Sequence, residues 1–226
     1  MKRILVFDVN ETLLDVQALD PVFDDAFGRG DARREWFSTL LLYSGVANLA
    51  GPYEEFSTIA GAALDMTAER RGVRLSAVER TGILRGMLAL PAHPDVPRGL
   101  QRLRDAGFRL VALSNSSQAA LEAQLTNAGL SPFFERRFSV EAVRRFKPAA
   151  EVYQLVAREL GVGTGDLRMV AAHAWDIVGA MRAGCSGAFV ARPGAVWYPL
   201  APRPDVVGPD LPSIAQHVIA LESAAS

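Results

Sequence analysis

The chain has 226 residues, half of them hydrophobic, enough for one large domain or for a core domain with a smaller companion. Its 24 basic and 25 acidic residues leave a net charge of −1 with no block of like charge, which excludes the electrostatic footprint of a nucleic-acid binder or of a protein drawn to anionic membrane. The expected partner is a small molecule, with no nucleic acid and no membrane.

Cys185 is the single cysteine, so an intramolecular disulfide and a multi-cysteine zinc site are excluded. Its setting, Ala183-Gly184-Cys185-Ser186-Gly187, reads as a small core position rather than a catalytic thiol. The apolar run before Asp8 is too short for a signal-peptide core, and no run approaches membrane-spanning length. A cytoplasmic protein is expected.

In chain order, Ile4-Leu5-Val6-Phe7 empties into Asp8-Val9-Asn10-Glu11-Thr12, which predicts a buried strand followed by a polar loop. From about Val16 to about Leu90 the pattern is helical. Ala32 to Ala47, Glu54 to Arg71 and Ser76 to Leu88 carry apolar residues at helical spacing, punctuated by Gly45, Gly51 and Gly72. The proline-rich stretch Pro91 to Pro97 closes this insertion. Strands are then predicted at Phe108 to Leu113, Phe138 to Val140, Leu167 to Ala171 and Gly187 to Ala191. Between and after them, helices are predicted at Arg98 to Ala106, Gln118 to Ala128, Ala150 to Leu160, Ile177 to Ala183 and Ser213 to Leu221. Such alternation predicts an α/β fold with a mostly parallel sheet covered on both faces.

Ligands of open parallel sheets bind beyond the carboxyl ends of the strands. Those ends carry Asp8, Ser114-Asn115-Ser116 and Ala171-Ala172-His173, with Lys147 before Pro148 and Asp176 at the start of a helix. Each alone is an ordinary helix cap or surface residue. Their joint placement points to an active site. Ser116 and Ser117 read as caps of the next helix, Trp36 and Trp197 have no catalytic motif, and His93 and His217 read as turn and surface residues.

Four segments, Asp8-Val9-Asn10-Glu11-Thr12-Leu13, Leu113-Ser114-Asn115, Phe146-Lys147-Pro148 and Ala174-Trp175-Asp176, resemble the four sequential motifs of the haloacid dehalogenase superfamily. The Ala-Trp-Asp of the fourth, and Tyr153 six residues after Lys147, are similar to the L-2-haloacid dehalogenases. The resemblance implies a doubly wound Rossmann-like core, residues 1–14 and 93–226, and an inserted helical cap, residues 15–92. It further implies hydrolytic dehalogenation of small 2-haloalkanoic acids, haloacetates among them, by a homodimer with no cofactor or metal. Asp8 would attack the halogen-bearing carbon to form an ester, water would attack the ester carbonyl, Lys147 would hold Asp8 ionised, and Asp176 would position or deprotonate the water. Thr12, Ser114 and Asn115 would bond Asp8 or the substrate carboxylate, and Tyr153 would orient Lys147 or Asp176, although its apolar stretch also suits core packing. Asn10, Phe37, His173 and Trp175 complete the expected substrate contacts, Trp175 being also a packing candidate.

Two alternatives are a phosphatase of the same fold and a non-catalytic binding protein with a rebuilt pocket. Against the first, Asn10 stands where phosphatase members carry a general acid, and Ala172 stands where they carry a metal-binding acid. Against the second, buried charges such as Asp8, Lys147 and Asp176 are costly unless used or paired. The chain also departs from the dehalogenases: Phe37 replaces an expected cap arginine, with Arg33 and Arg34 nearby, and Ala171-Ala172-His173 replaces Ser-Ser-Asn. One expectation is that a His173 N–H stabilises the departing halide, fluoride most of all.

Overall fold

The computed structural model describes residues 2–28 and 30–224. Six strands form one sheet: β1 Ile4–Phe7, β2 Leu110–Ser114, β3 Arg136–Ser139, β4 Leu167–Ala171, β5 Ser186–Val190 and β6 Val206–Gly208. Their order is β3-β2-β1-β4-β5-β6, and every pairing is parallel. All residues of β1, β2 and β4 are buried, as continuous apolar runs require when both faces of a sheet are covered. From β1 the chain proceeds outward to β2 and β3, then returns to lay β4 on the other side of β1. With right-handed crossovers, that reversal sends helices to both faces and opens a crevice between β1 and β4 at their carboxyl ends.

Four helices, α1 Asp20–Phe27, α2 Ala32–Ala50, α3 Phe56–Arg71 and α4 Ala77–Gly86, fall between β1 and α5 Val96–Asp105. The rest are α6 Gln118–Asn127, α7 Ala150–Leu160, α8 Ala174–Arg182 and α9 Leu211–Ala224. Local chemistry sets several ends: Ser76 and Glu79 form a capping box for α4, and α3 and α7 stop at Gly72 and Gly161, both left-handed. Ser117 caps α6 by accepting from the Ala120 N–H. The helix α5 begins two residues before its predicted start, because Pro97 falls in the first turn, where no N–H is needed.

In the inserted helices Trp36 of α2 is fully buried, donates from Nε1 to Ala60 O at 2.9 Å and packs on Phe23 at 5.2 Å. Asn48, further along α2, joins this layer to the core. Its Nδ2 donates to Phe146 O at 2.8 Å, and its Oδ1 accepts from Phe146 N at 2.9 Å. Tyr53 and Phe56 pack on the Phe146 ring at 5.1 and 6.1 Å. Among the described residues no helix is long and apolar enough to cross a membrane. Cys185 is buried, and burial pushes its thiol up to about 12, as suits a core residue.

Candidate active site

The crevice between β1 and β4 is where polar side chains gather. Asp8 follows β1 directly, and its N–H donates to Val170 O of β4 at 3.0 Å. The chain then folds back on itself: Leu13 N and Leu14 N donate to Val9 O, and Glu11 N donates to Leu14 O. Glu11 takes a left-handed φ of 61°, uncommon for a residue with a side chain. Arg192, just beyond β5, clamps this loop by donating from Nε and Nη2 to Thr12 O at 2.9 and 2.8 Å while pairing with Asp95.

Both oxygens of the Asp8 carboxylate are held by side chains, Oδ1 by Lys147 and Oδ2 by Thr12 and His173. Lys147 Nζ donates to Oδ1 at 2.6 Å and to Asp176 Oδ2 at 2.7 Å, so one buried ammonium is shared by two buried carboxylates. Thr12 Oγ1 donates to Asp8 Oδ2 at 2.6 Å, and itself accepts from Ala172 N at 2.9 Å. Tyr153 Oη donates to Asp176 Oδ1 at 2.7 Å. His173 spans Asp8 Oδ2 through Nδ1 at 3.1 Å and Glu11 Oε2 through Nε2 at 2.8 Å.

Charge follows from these contacts. Burial would raise the Asp8 carboxyl, but the Lys147 charge and the His173 hydrogen bond outweigh it and hold Asp8 well below the usual carboxylate range. Burial likewise disfavours the His173 imidazolium, yet Asp8 and Glu11 together lift the ring to about 10. Lys147 is raised despite burial by Asp176 and Asp8. Asp176 is pushed up by burial and by Asp8, against the pull of Lys147. Burial and Asp176 keep the Tyr153 phenol protonated.

Close packing brings these groups together. A Cβ on Gly179 of α8 would lie 2.3 Å from Pro148 Cβ, so glycine lets α8, and with it Asp176, approach the segment carrying Lys147. Asn115 Oδ1 accepts from Lys147 N at 3.0 Å.

Of the residues expected at the site, Asp8, Thr12, Lys147, Tyr153, His173 and Asp176 form one hydrogen-bonded cluster, and the Tyr153 hydroxyl goes to Asp176 rather than to Lys147. Ser114 and Asn115 are buried beside it, but Ser114 Oγ accepts from Ser116 N and Asn115 holds the Lys147 backbone, so neither is bonded to Asp8. Asn10 accepts from Gln124 Nε2 at 3.0 Å. Phe37 and Trp175 flank the His173 ring at 6.5 and 5.0 Å. Both His173 nitrogens face carboxylates, so the expected N–H to a departing halide is already committed. Glu11, Gln124, Asn48 and Arg192 were not anticipated. A glutamine at a buried helical position and an arginine at a strand end were the available signals.

A divalent cation does not suit this donor set. Ala172 brings no side-chain oxygen, Asn10 spends its carbonyl on Gln124, and the His173 cation already occupies the Oδ2 side of Asp8.

Two cavities flank the cluster. One of about 840 Å³ is lined by Leu42, Val46 and Leu49 of α2 and by Asn115 and Lys147. The other, of about 480 Å³, is lined by Glu11, His173, Phe37, Arg33 and Arg34. Ser38, Leu41 and Trp175 line both.

A parallel α/β sheet with a lysine-bridged pair of carboxylates at its switch point defines a class of protein, and comparison with known proteins gives the family. Residues 2–184 match the haloacid dehalogenase-like hydrolases, and the chain belongs to that family. The (S)-2-haloacid dehalogenase of Pseudomonas sp. (strain YL) is 32% identical over 89% of this chain and 88% of its own. Haloacetate dehalogenase H-2 of Moraxella sp. (strain B) is 28% identical over 98% of this chain and 100% of its own. The structure of L-2-haloacid dehalogenase from Xanthobacter autotrophicus with chloropropionic acid covalently bound superposes with a TM-score of 0.89 at 28% identity, covering 96% of this chain and 98% of that one.

Proposed function

We propose that this chain is a hydrolytic dehalogenase of small 2-haloalkanoic acids, haloacetates included, working through an ester on Asp8. The observation that carries this reading is Asp8 itself, a buried carboxylate kept ionised by Lys147 at the mouth of β1, with Asp176 sharing the same ammonium. The relatives named as dehalogenases of haloacids and haloacetate support the substrate class.

In this mechanism Asp8 displaces halide from the substrate carbon, a leaving group that needs no proton, so the missing acid at Asn10 is no obstacle. Lys147 offsets charge in both half-reactions. Asp176, the carboxylate with the raised pKa, takes the proton of the attacking water, and Tyr153 fixes its orientation. Residues 15–92 would act as a cap over the core, residues 1–14 and 93–226, and keep bulk water from the ester as it forms. Residues 1, 29, 225 and 226 of that division lie outside the described residues. The exposed α2 face, with Leu42 62% and Leu49 90% exposed, is read as the surface that joins two copies in a homodimer.

Halide release measured by ion chromatography tests the proposal, with fluoroacetate, chloroacetate and both enantiomers of 2-chloropropionate as substrates and a chelator present. Turnover should persist in the chelator and fall on the order of 10⁶-fold in Asp8→Asn. Halide release that is indifferent to Asp8, or absent with all four substrates, would refute it.

A further inference from the structure

We infer that His173, held by Glu11, forms with Thr12 an oxyanion hole around Asp8 Oδ2 that serves the hydrolysis of the ester rather than the departure of halide. This rests on the reading above that Asp8 forms an ester.

A carboxylate oxygen offers two in-plane lone pairs. Oδ2 already accepts two donors, Thr12 Oγ1 at 2.6 Å and His173 Nδ1 at 3.1 Å, whereas among the described residues Oδ1 accepts Lys147 alone, at 2.6 Å. Oδ1 therefore keeps a lone pair for the substrate carbon, and Oδ2 stays behind as the ester carbonyl with both donors in place. When water adds to Cγ, the carbonyl π pair moves onto Oδ2, which becomes an alkoxide facing a hydroxyl and an imidazolium. Collapse re-forms the carbonyl, breaks the Cγ–Oδ1 bond and releases the 2-hydroxy acid carrying Oδ1. One water proton ends on the departing oxygen, and the other is lost as the carboxylate is regenerated.

Both donors are aimed before the reaction begins. Thr12 Oγ1 accepts from Ala172 N at 2.9 Å, which turns its one proton toward Oδ2. His173 donates from Nε2 to Glu11 Oε2 at 2.8 Å, which fixes the ring plane and keeps the second N–H on Oδ2. Glu11 is held for this by its left-handed backbone, and its carbonyl accepts from His93 Nε2 at 3.2 Å. Phe37 and Trp175 pack beside the ring, which is left 12% exposed, and donors largely withdrawn from water act more strongly on developing charge.

Other charged groups face the ring from every side. Lys147 and Asp176 lie across Asp8, and Asp15, Arg33, Arg34 and Arg192 line the neighbouring cavity. His93 lines it too, held below its usual value by burial and by Arg192. Glu11 and Asp8 are the only ones of these bonded to His173 among the described residues.

Acid-quenched time courses with chloroacetate, following halide and the mass of the intact chain, separate the two half-reactions in the wild type, His173→Asn and Glu11→Gln. In His173→Asn the first equivalent of halide should still appear as a burst, while ester decay slows by about 10²- to 10³-fold, so that ester accumulates. Glu11→Gln, which retains the ring, should decay normally at low pH and lose activity at a lower pH than the wild type, a shift that a merely structural Glu11 would not produce. Slowing of the burst alone, equal slowing of both steps, or an unmoved pH profile in Glu11→Gln would overturn the inference. Wild-type protein that releases no halide would instead overturn the reading beneath it.

Discussion

At the scale of single residues, two aspartates bound to one lysine are shifted in opposite directions because their surroundings differ. Asp8 has His173 and Thr12 on its second oxygen and is held low, while Asp176, with the neutral Tyr153 hydroxyl on its other oxygen, is pushed up by burial and by the charge of Asp8. In the proposed mechanism that separation supplies a nucleophile and a base from the same side-chain chemistry. Removing the shared cation with Lys147→Met would leave both carboxylates buried without it, a loss of about 3–5 kcal/mol in denaturant unfolding. Halide release should disappear as well. The imidazolium of His173 gives a pH signature. Its ring titrates at about 10 when folded, against 6.5 for the free side chain. The stability it lends is therefore complete below about 6.5 and drains away as the pH rises toward about 10. Thermal midpoints taken across that window should fall more steeply in the wild type than in His173→Asn; parallel curves would contradict the charged bridge.

At the scale of elements, the site depends on how closely segments distant in sequence can approach. Gly179 sits inside α8, where glycine costs up to about 1 kcal/mol relative to alanine, and a side chain there would collide with Pro148. Gly179→Ala should therefore destabilise the protein, by about 1–3 kcal/mol, despite its better helix propensity. It should also lower kcat by moving Asp176 away from Lys147. Asn48→Ala should lower kcat while leaving the helices intact by circular dichroism, because it unties α2 from the backbone of Phe146 beside Lys147. Such approaches were not legible in the sequence, since Asn48 and Phe146 stand 98 positions apart. The strands β1 and β4 and the helix α7 were legible to the residue, because unbroken apolar runs and a stopping glycine mark them. The helix α1 and the strand β6 were not. α1 is short and buries only Phe23 completely, and β6 is three residues between prolines whose pairing comes from β5 alone.

For the whole molecule, strand order turns scattered motifs into one site. Asp8 and His173 belong to segments leaving β1 and β4, the two strands on either side of the switch point, and the site follows from that topology. This much was legible, since residues at strand ends can be read before any fold is known. The bond from Glu11 to His173 was not, because it depends on a left-handed turn and on a ring held between two carboxylates. Assembly is also a property of the whole. The α2 face that lines the larger cavity is apolar and exposed, so a second copy seated there would cover the opening toward Lys147. Sedimentation should show a dimer for the wild type and a monomer for Leu42→Glu combined with Leu49→Glu; a monomeric wild type would refute the pairing. The central claim is the ester on Asp8, and a single turnover of chloroacetate in ¹⁸O-labelled water, with enzyme in excess, tests it most directly. Label in the Asp8 carboxylate with an unlabelled hydroxyl on the product is the expected result. Label delivered straight to the product, with Asp8 unlabelled, would contradict it.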